Sequence, residues 1–298
     1  MKKGEVLALS AGALWGTTGL FVRMLVKLGL TTTDVAFLRM FFGAFLIFSI
    51  IILLRKSLSL PLWSWKYLFG TGILSLTLFN WSYFRAIKLT TLPIAVALLY
   101  TAPAFVVVLA RIFYGERITP RKSTALLLTI IGVLLVSGAL KYLITGEKIS
   151  VFGVLYGLLS AVGYGLYTIF AKPLSGHIPP EKIAAYTFLV AAIALLPISS
   201  VFGDISIFFN TRVIFLGLLF GAFSTAAPYL LYTKALTFME AGRAAIFTTM
   251  EPVVATLIGV FVLQESLSFF EFLGIVSIIF AVILLSLSDK PCTSNIEN

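Results

Sequence analysis

The sequence has little charge for its size. Only 11% of the 298 residues are Asp, Glu, Lys or Arg, whereas 60% are hydrophobic and the mean hydropathy is +1.07. Soluble chains carry about 25% charged residues because their surface faces water. A surface with so few charges must face lipid instead, which excludes a soluble enzyme, a nucleic-acid-binding domain and a disordered protein.

Cysteine and histidine are also scarce. Cys292 is the single cysteine, so no disulfide within the chain and no cysteine metal cluster can form. The single histidine, His177, stands in a loop before Pro179-Pro180, and the sequence contains neither HExxH nor the P-loop pattern GxxxxGK[ST]. We therefore expect no enzyme activity, no bound metal and no cofactor.

Long apolar runs fill most of the chain. A membrane-spanning helix needs about 20 mainly apolar residues, and such runs predict an all-α integral membrane protein with ten transmembrane helices. The ten predicted spans are 6–26, 34–54, 66–87, 93–113, 122–140, 152–171, 183–201, 213–236, 244–262 and 269–287.

The distribution of Lys and Arg predicts how these spans are oriented. With the N terminus inside, the inner segments hold 14 of the 22 basic residues and the outer segments hold 7, with Arg39 inside a span. The positive-inside rule then places both termini in the cytoplasm. We expect a multi-pass protein of the plasma (inner) membrane, whose net charge of +10 reflects topology and not a nucleic-acid partner.

The chain resembles itself at a constant shift of 149 residues. The matching positions include Trp15-Gly16 with Tyr164-Gly165, Tyr83 with Tyr232, Pro103 with Pro252 and Glu116 with Glu265. Each half contains five predicted spans, and an odd number means that the second half enters the membrane from the opposite side. The sequence therefore predicts two inverted five-helix repeats, residues 1–145 and 150–290, an arrangement typical of secondary transporters.

Short motifs in both halves carry a family resemblance. They are Ala13-Leu14-Trp15-Gly16, Leu38-Arg39, Gly115-Glu116-Arg117-Ile118-Thr119 followed by Leu126-Leu127-Leu128 and Gly132-Val133, and Glu251-Pro252. Together they resemble the EamA-type branch of the drug/metabolite transporter superfamily over essentially the whole chain. The resemblance implies a ten-helix carrier, and many such carriers export amino acids or other metabolites. Ala102 stands at the first-half counterpart of Glu251, so the carboxylate belongs to one repeat only.

Polar and aromatic side chains deep inside the spans are the candidate substrate-binding residues, because lipid-facing surface needs no polar groups. The repeat relates most of them in pairs, which favours one central cavity. The alternative is that these side chains are interhelical packing groups or interface anchors. The candidates are Trp15, Thr18, Asn80, Tyr83, Tyr100, Tyr164, Tyr167, Tyr229, Tyr232, Thr248 and Thr249.

Two prolines lie inside predicted spans. Pro103 and Pro252 each remove a backbone hydrogen bond and would free the carbonyl four residues earlier, at Leu99 and Thr248. Broken helices of this kind supply backbone acceptors at transporter sites. The alternative is a kink that serves packing alone.

Two charged residues lie inside predicted spans. Glu251 is the one acidic residue well within a span, where a carboxylate costs roughly 2–3 kcal/mol or more. It either couples transport to protons or is a structural carboxyl bonded to a neighbouring helix. Arg39 either attracts an anionic substrate group or extends to the interface or caps a helix end, and its place in the family-like Leu38-Arg39 motif favours the plainer roles.

These observations predict a secondary-active carrier that exports amino acids or related small metabolites by alternating access. Tyr, Trp, Asn and Thr suit a small neutral, zwitterionic or aromatic solute, and no cluster of Lys and Arg lies mid-span to bind phosphorylated sugars or nucleotide sugars. The alternatives are a drug or hydrophobic-cation efflux carrier and a non-transporting membrane scaffold. The expected partners are a small-molecule substrate and the lipid bilayer, and the sequence is compatible with a homodimer.

Overall fold

The computed structural model describes residues 1–140, 142, 150–200 and 205–287. This part of the chain is almost entirely helical and contains no strand apart from an isolated bridge between Ser175 and Ile178. The predicted junction at 145–148 and Cys292 lie outside the described residues. The first half contains the helices α1 Lys3–Trp15, α2 Thr18–Lys27, α3 Thr32–Leu53, α4 Trp65–Phe69, α5 Leu78–Leu89, α6 Leu92–Leu99, α7 Ala102–Tyr114 and α8 Pro120–Val136. The second half contains α9 Val151–Ala171, α10 Pro180–Leu195, α11 Thr211–Leu219, α12 Ala227–Ala235, α13 Ala241–Phe247, α14 Met250–Leu263 and α15 Phe269–Ser286.

Eight helical stretches in the described residues are long and apolar enough to cross a membrane. They are Lys3–Lys27, Thr32–Leu53, Leu92–Tyr114, Val151–Ala171, Pro180–Ile198, Thr211–Ala235, Ala241–Leu263 and Phe269–Ser286. The two other predicted spans are helical as well, but α8 has only 17 residues and the stretch through α4 and α5 carries Lys66, Arg85 and Lys88. An α-helical membrane protein is therefore confirmed, whereas the count of ten spans stays a prediction.

Each half contains one π-helical segment, at positions related by the 149-residue shift. Gly70–Thr77 joins α4 to α5, and Phe220–Ala226 joins α11 to α12. A π-helical turn is wider than an α-helical turn and often occurs beside a functional site. The sequence gives no sign of these segments, because a π-helix has the same apolar composition as the α-helix that it interrupts.

The two halves interlock through matched helix pairs. The first helix of each half packs on the other half, since α1 contacts α12 and α9 contacts α5. Equivalent helices also meet, with α3 against α10 and α8 against α15. At the last contact the Ser277 hydroxyl donates to the Leu128 carbonyl at 2.8 Å, and these two positions are 149 residues apart. Such contacts between equivalent positions are expected when two copies of one unit pack around an axis.

Glycines also allow α1 to approach the backbone between α13 and α14 closely. A Cβ on Gly12 would lie 2.6 Å from the Thr248 carbonyl oxygen, and one on Gly16 would lie 2.8 Å from the Glu251 carbonyl oxygen. Small residues are the usual means by which membrane helices come together. Helix α1 therefore lies directly against the junction of α13 and α14, where the site described below is found.

The close contact of α8 with α15 predicts how a substitution there changes the stability of the protein. A Cβ on Gly274 would lie 2.6 Å from the Gly132 carbonyl oxygen, whereas a Cβ on Gly19 would meet nothing within 4 Å. Because overpacking of a close contact costs roughly 1–3 kcal/mol, we expect Gly274→Ala to lower the thermal unfolding midpoint of the purified protein. Gly19→Ala, the matched control, should leave the midpoint unchanged or raise it, and equal loss in both variants would contradict the close contact.

Candidate functional site

Five of the candidate side chains form one aromatic cluster between the halves. Trp15, at the end of α1, contacts Tyr229 and Tyr232 of α12, with ring centroids 5.0 and 5.5 Å away. It also contacts Tyr164 of α9 at 6.2 Å, and Tyr167 of α9 lies 4.8 Å from Tyr229. Most of these contacts are edge-to-face, the geometry that aromatic pairs favour. The structure thus brings together residues that are 149 positions apart in the sequence.

The cluster lies where three helical stretches are interrupted. Residues 16–17 separate α1 from α2, residues 100–101 separate α6 from α7, and residues 248–249 separate α13 from α14. Pro103 and Pro252 fall in the first turn of α7 and α14, where the missing N–H would have no helical partner. The prolines therefore mark helix starts and explain two of the three interruptions.

Threonine hydroxyls bind the backbone carbonyls at these interruptions. Thr101, Thr248 and Thr249 each donate to the carbonyl three residues earlier, at 2.6, 2.8 and 2.6 Å. The Thr248 carbonyl, expected from the sequence to be free, accepts the backbone N–H of Glu251 at 3.0 Å. That expectation was wrong, because the chain restarts its helix at once and closes an i to i+3 bond.

Glu251 is bonded across the helix boundary. The Tyr164 hydroxyl of α9 donates to Oε2 of Glu251 at 3.1 Å, and the carboxyl also interacts with the hydroxyls of Tyr83 and Tyr100. Glu251 is nevertheless partly exposed. It therefore has a neighbouring-helix partner, as the structural hypothesis requires, and an open side, as the coupling hypothesis requires.

Exposure divides the candidate residues into two layers. In the inner layer no side chain is more than 5% exposed; it consists of Trp15, Tyr167, Tyr229, Tyr232, Thr248 and Thr249. In the outer layer every residue is partly exposed; it consists of Thr18, Tyr83, Tyr100, Tyr164 and Glu251. Four inner-layer aromatics together with Val106, Pro103 and Tyr164 enclose a cavity of about 20 Å³, room for roughly one water. The cavity is therefore enclosed by the buried inner layer, and the partly exposed outer-layer residues lie around it.

Two phenylalanines that were not candidates join the aromatic cluster, whereas the candidate Asn80 bonds within its own helical stretch. The Asn80 amide is buried and uses one of its two N–H groups to donate to the Leu76 carbonyl of its own helical stretch at 2.6 Å. Phe79 contacts Tyr164 at 5.4 Å and Phe188 contacts Tyr229 at 5.1 Å. The sequence could not single out these two, because it holds 27 phenylalanines and most of them serve lipid or packing.

A buried polar network closes the end of the bundle at which α13 begins, called here the closed end. Glu116 accepts the backbone N–H groups of Ala241 and Gly242 at 2.5 and 3.0 Å. Lys122, whose side chain is 4% exposed, lies 3.6 Å from Glu116 and 2.9 Å from Glu240. The network joins the first half to the start of α13, and carboxylates are stabilised at such a helix start.

Two further basic residues support the closed end. Lys172 donates to the carbonyls of Leu236 and Met239 at 2.6 and 2.7 Å. Burial lowers the pKa of the Lys172 ammonium from its ordinary value, while Glu116 and Glu240 act in the opposite direction. The second residue, Arg243, pairs with the buried Glu5 of α1 at 2.6 Å.

The opposite end shows no equivalent closure in the described residues. Glu265, the repeat counterpart of Glu116, pairs with Arg23 at 2.7 Å, and both side chains are about half exposed. Arg23 is itself the counterpart of Lys172. Equivalent residues of the two repeats thus form a buried network at one end and an exposed ion pair at the other.

Comparison with known proteins identifies the family. The model of the EamA-like transporter family matches residues 2–138 and again residues 151–287. The chain belongs to this family. It is therefore a multi-pass membrane protein of a transporter family, and the two matches begin 149 residues apart.

Individual relatives cover the whole length of this transporter. An Archaeoglobus fulgidus protein named as an uncharacterized transporter is 28% identical over 95% of this chain and 96% of its own. The uncharacterized transporter YwfM of Bacillus subtilis is 27% identical over 96% of this chain and 94% of its own. A solved crystal structure has the same fold, with a TM-score of 0.79 and 19% identity over 95% of this chain and 96% of that chain. These likenesses support a transporter and name no substrate.

Proposed function

We propose that this transporter is a secondary-active carrier that exports amino acids or related small metabolites by alternating access. In this proposal it has ten spans in two inverted repeats and lies in the plasma membrane with both termini in the cytoplasm. The observation that carries the proposal is the site between the halves, where aromatic rings enclose a small cavity and one carboxylate lies beside them.

The chemistry of the lining favours a small solute with an apolar part and few charges. Aromatic faces cover apolar surface and attract cations. The hydroxyls of Tyr83 and Tyr100 can exchange hydrogen bonds with a polar group, and Glu251 offers one negative charge beside them. A cavity that holds roughly one water leaves no space for a solute, so the halves must separate for binding.

The difference between the two ends supports alternating access. If the N terminus is cytoplasmic, the closed end is the cytoplasmic end, and the outer end is held only by the exposed ion pair of Arg23 and Glu265. In the opposite state Glu265 would have to cap the start of α6, as Glu116 caps the start of α13. At the start of α6, Pro93 occupies the position equivalent to Gly242 and has no backbone N–H. Only the backbone N–H of Leu92 could therefore donate to Glu265. Closure of the outer end would thus have one hydrogen bond fewer, which favours the state described.

Transport by reconstituted protein tests the proposal. We expect vesicles that contain the purified chain to accumulate labelled leucine or another amino acid above protein-free vesicles when a gradient is applied. Because a carrier must move its solute through the central site, Trp15→Ala should lower this uptake strongly. Absence of uptake for every amino acid and metabolite tried, in a protein that is folded, would favour the membrane scaffold.

A hydrophobic-cation carrier is the second candidate. The observation in its favour is that Glu251 is surrounded by tyrosines, an arrangement that stabilises an organic cation. Tetraphenylphosphonium separates the two candidates. A cation carrier should transport it, whereas an amino-acid carrier should transport leucine and not the phosphonium ion.

Substitution of Glu251 tests its role in coupling. Glu251→Gln keeps the size and hydrogen bonding of the side chain but removes the exchangeable proton. If Glu251 couples transport to protons, we expect gradient-driven transport to be lost while binding and solute exchange persist. A purely structural role predicts that driven transport and exchange fall together with the folded yield. Wild-type driven transport in this variant would eliminate the coupling role.

Substitution of Glu116 tests the closed end. Glu116→Gln removes the charge that accepts two backbone N–H groups and faces Lys122, so we expect the closed end to open more often. In a Cys292→Ser background, a cysteine in place of the buried Val106 reports this as faster reaction with a maleimide. Glu265→Gln, the matched control, should leave the reaction slow. Equal rates in the wild type and both variants would show that Glu116 does not hold this end closed.

A further inference from the structure

Arg39 on α3 is a buried cation for which the described part of the chain provides no ion pair. Its side chain is 8% exposed, and its guanidinium carbon lies 5.4 Å from the ring centroid of Phe220. Its Nε is buried without a hydrogen-bond partner, and no ion pair to Arg39 occurs in the described residues. In the described residues Arg39 bonds to no helix end and contacts Phe220 of the π-helical segment instead, so the expectation of a helix cap was wrong, whereas its extension to the interface stays a prediction.

An unpaired arginine inside a membrane protein needs an explanation. A buried charge is costly unless it is paired and hydrogen-bonded, and arginine carries five N–H donors. Ala36 and Met40, which flank Arg39 on α3, pack in one buried cluster with Trp15 and Tyr229 of the site described above. The charge of Arg39 also acts on Glu251 and on Tyr229. The guanidinium therefore belongs to the edge of that site, and its contact with Phe220 satisfies none of its N–H groups.

A second unpaired donor belongs to Trp15, whose ring contacts Tyr229. The indole Nε1 of Trp15 is buried without a hydrogen-bond partner, although its ring is only 5.0 Å from that of Tyr229. Buried donors in native structures are nearly always paired, and each exception calls for a reason. Two unpaired donors around Tyr229 are what a site for an acceptor group, such as a carboxylate, would present when it is empty.

We propose that Arg39 and the indole N–H of Trp15 bind the carboxylate of the transported amino acid, whose ammonium group is directed to Glu251. The proposal rests on the proposed function and adds to it Arg39 for the carboxylate and Glu251 for the ammonium group of the amino acid. Arg39 and Glu251 interact without forming an ion pair in the described residues, and a solute with opposite charges on neighbouring carbons can bridge the two groups. A guanidinium also matches a carboxylate in shape, since two parallel N–H groups can meet its two oxygens.

Binding of four compounds with the same side chain tests the carboxylate subsite. The probes are leucine, leucine methyl ester, 3-methylbutylamine and 4-methylpentanoate, measured on full-length protein in nanodiscs. The ester and the amine lack the carboxylate, and 4-methylpentanoate lacks the ammonium group. Because a hydrogen bond to a charged group contributes about 1.5–3 kcal/mol, we expect the wild type to bind leucine roughly tenfold to a hundredfold more tightly than its ester.

Substitutions test whether the preference for leucine over its methyl ester depends on Arg39. In Arg39→Met we expect the preference to fall to about one, because leucine loses affinity while the ester does not. Arg39→Lys keeps the charge without the paired N–H groups and should show an intermediate preference. Trp15→Phe keeps a ring and removes only the N–H donor, so it should reduce the preference in a protein that folds. Arg212→Met, which removes an exposed arginine from the start of α11, is the matched control and should keep the wild-type preference.

The outcomes separate this inference from the proposed function. If Arg39→Met weakens leucine and its ester equally, Arg39 only supports the packing around Phe220 and the subsite is overturned. If the wild type transports leucine but binds the ester as tightly, the subsite fails and amino-acid transport stands. If no amino acid is transported but 4-methylpentanoate binds in a manner that depends on Arg39, the subsite stands and the proposed function fails.

Discussion

The lipid environment is the constraint on which the rest of this structure depends, because it leaves polar groups in the spans no water to bind. Wherever the backbone departs from a continuous helix, a nearby group must replace the lost hydrogen bond. The threonines at the junction of α13 and α14 do so with their own hydroxyls, and the Glu251 N–H closes the turn at Thr248. The interruptions are therefore stable without a ligand, and they place aromatic and acidic side chains at one level of the bundle. The cavity between the halves follows from this arrangement.

The lipid environment also explains why the two repeats differ at certain polar positions. At the closed end, Glu116 binds two N–H groups and faces the buried Lys122, so each polar group of that network has a partner. At the other end Glu265 remains at the surface with Arg23, where water can satisfy both. Two copies of one unit thus differ at a few polar positions, and those positions determine which end is closed. Ala102 in place of a second Glu251 is a difference of the same kind, because it leaves the central site with a single carboxylate.

Most of the helical architecture could be predicted from the sequence, because apolar length alone identifies membrane helices and a constant shift reveals the repeat. The aromatic residues of the site were also visible, since Trp15, Tyr164 and Tyr229 are unusual in lipid-facing positions. What the sequence could not show depends on geometry. The π-helical segments have ordinary apolar composition, the interruption after Trp15 contains no proline, and Phe79 is one phenylalanine among many. The partners of Glu116 lie 125 and 126 residues away in the chain, so their pairing appears only in the folded protein.

Arg39 shows why unsatisfied groups are the most informative part of such a structure. Other polar side chains at the site have partners: Tyr167 binds Thr233, Tyr232 binds Thr168 and Tyr164 binds Glu251. A buried charge without a partner lowers the stability of a fold. The donors of Arg39 and Trp15 could have been paired or removed like the other groups, so their presence without partners needs another explanation. Departures from local rules are expected where a protein meets its ligand. A carboxylate that enters with the solute would pair both donors at once, so the stability lost in the empty site would be recovered on binding and would contribute to the selection of the solute.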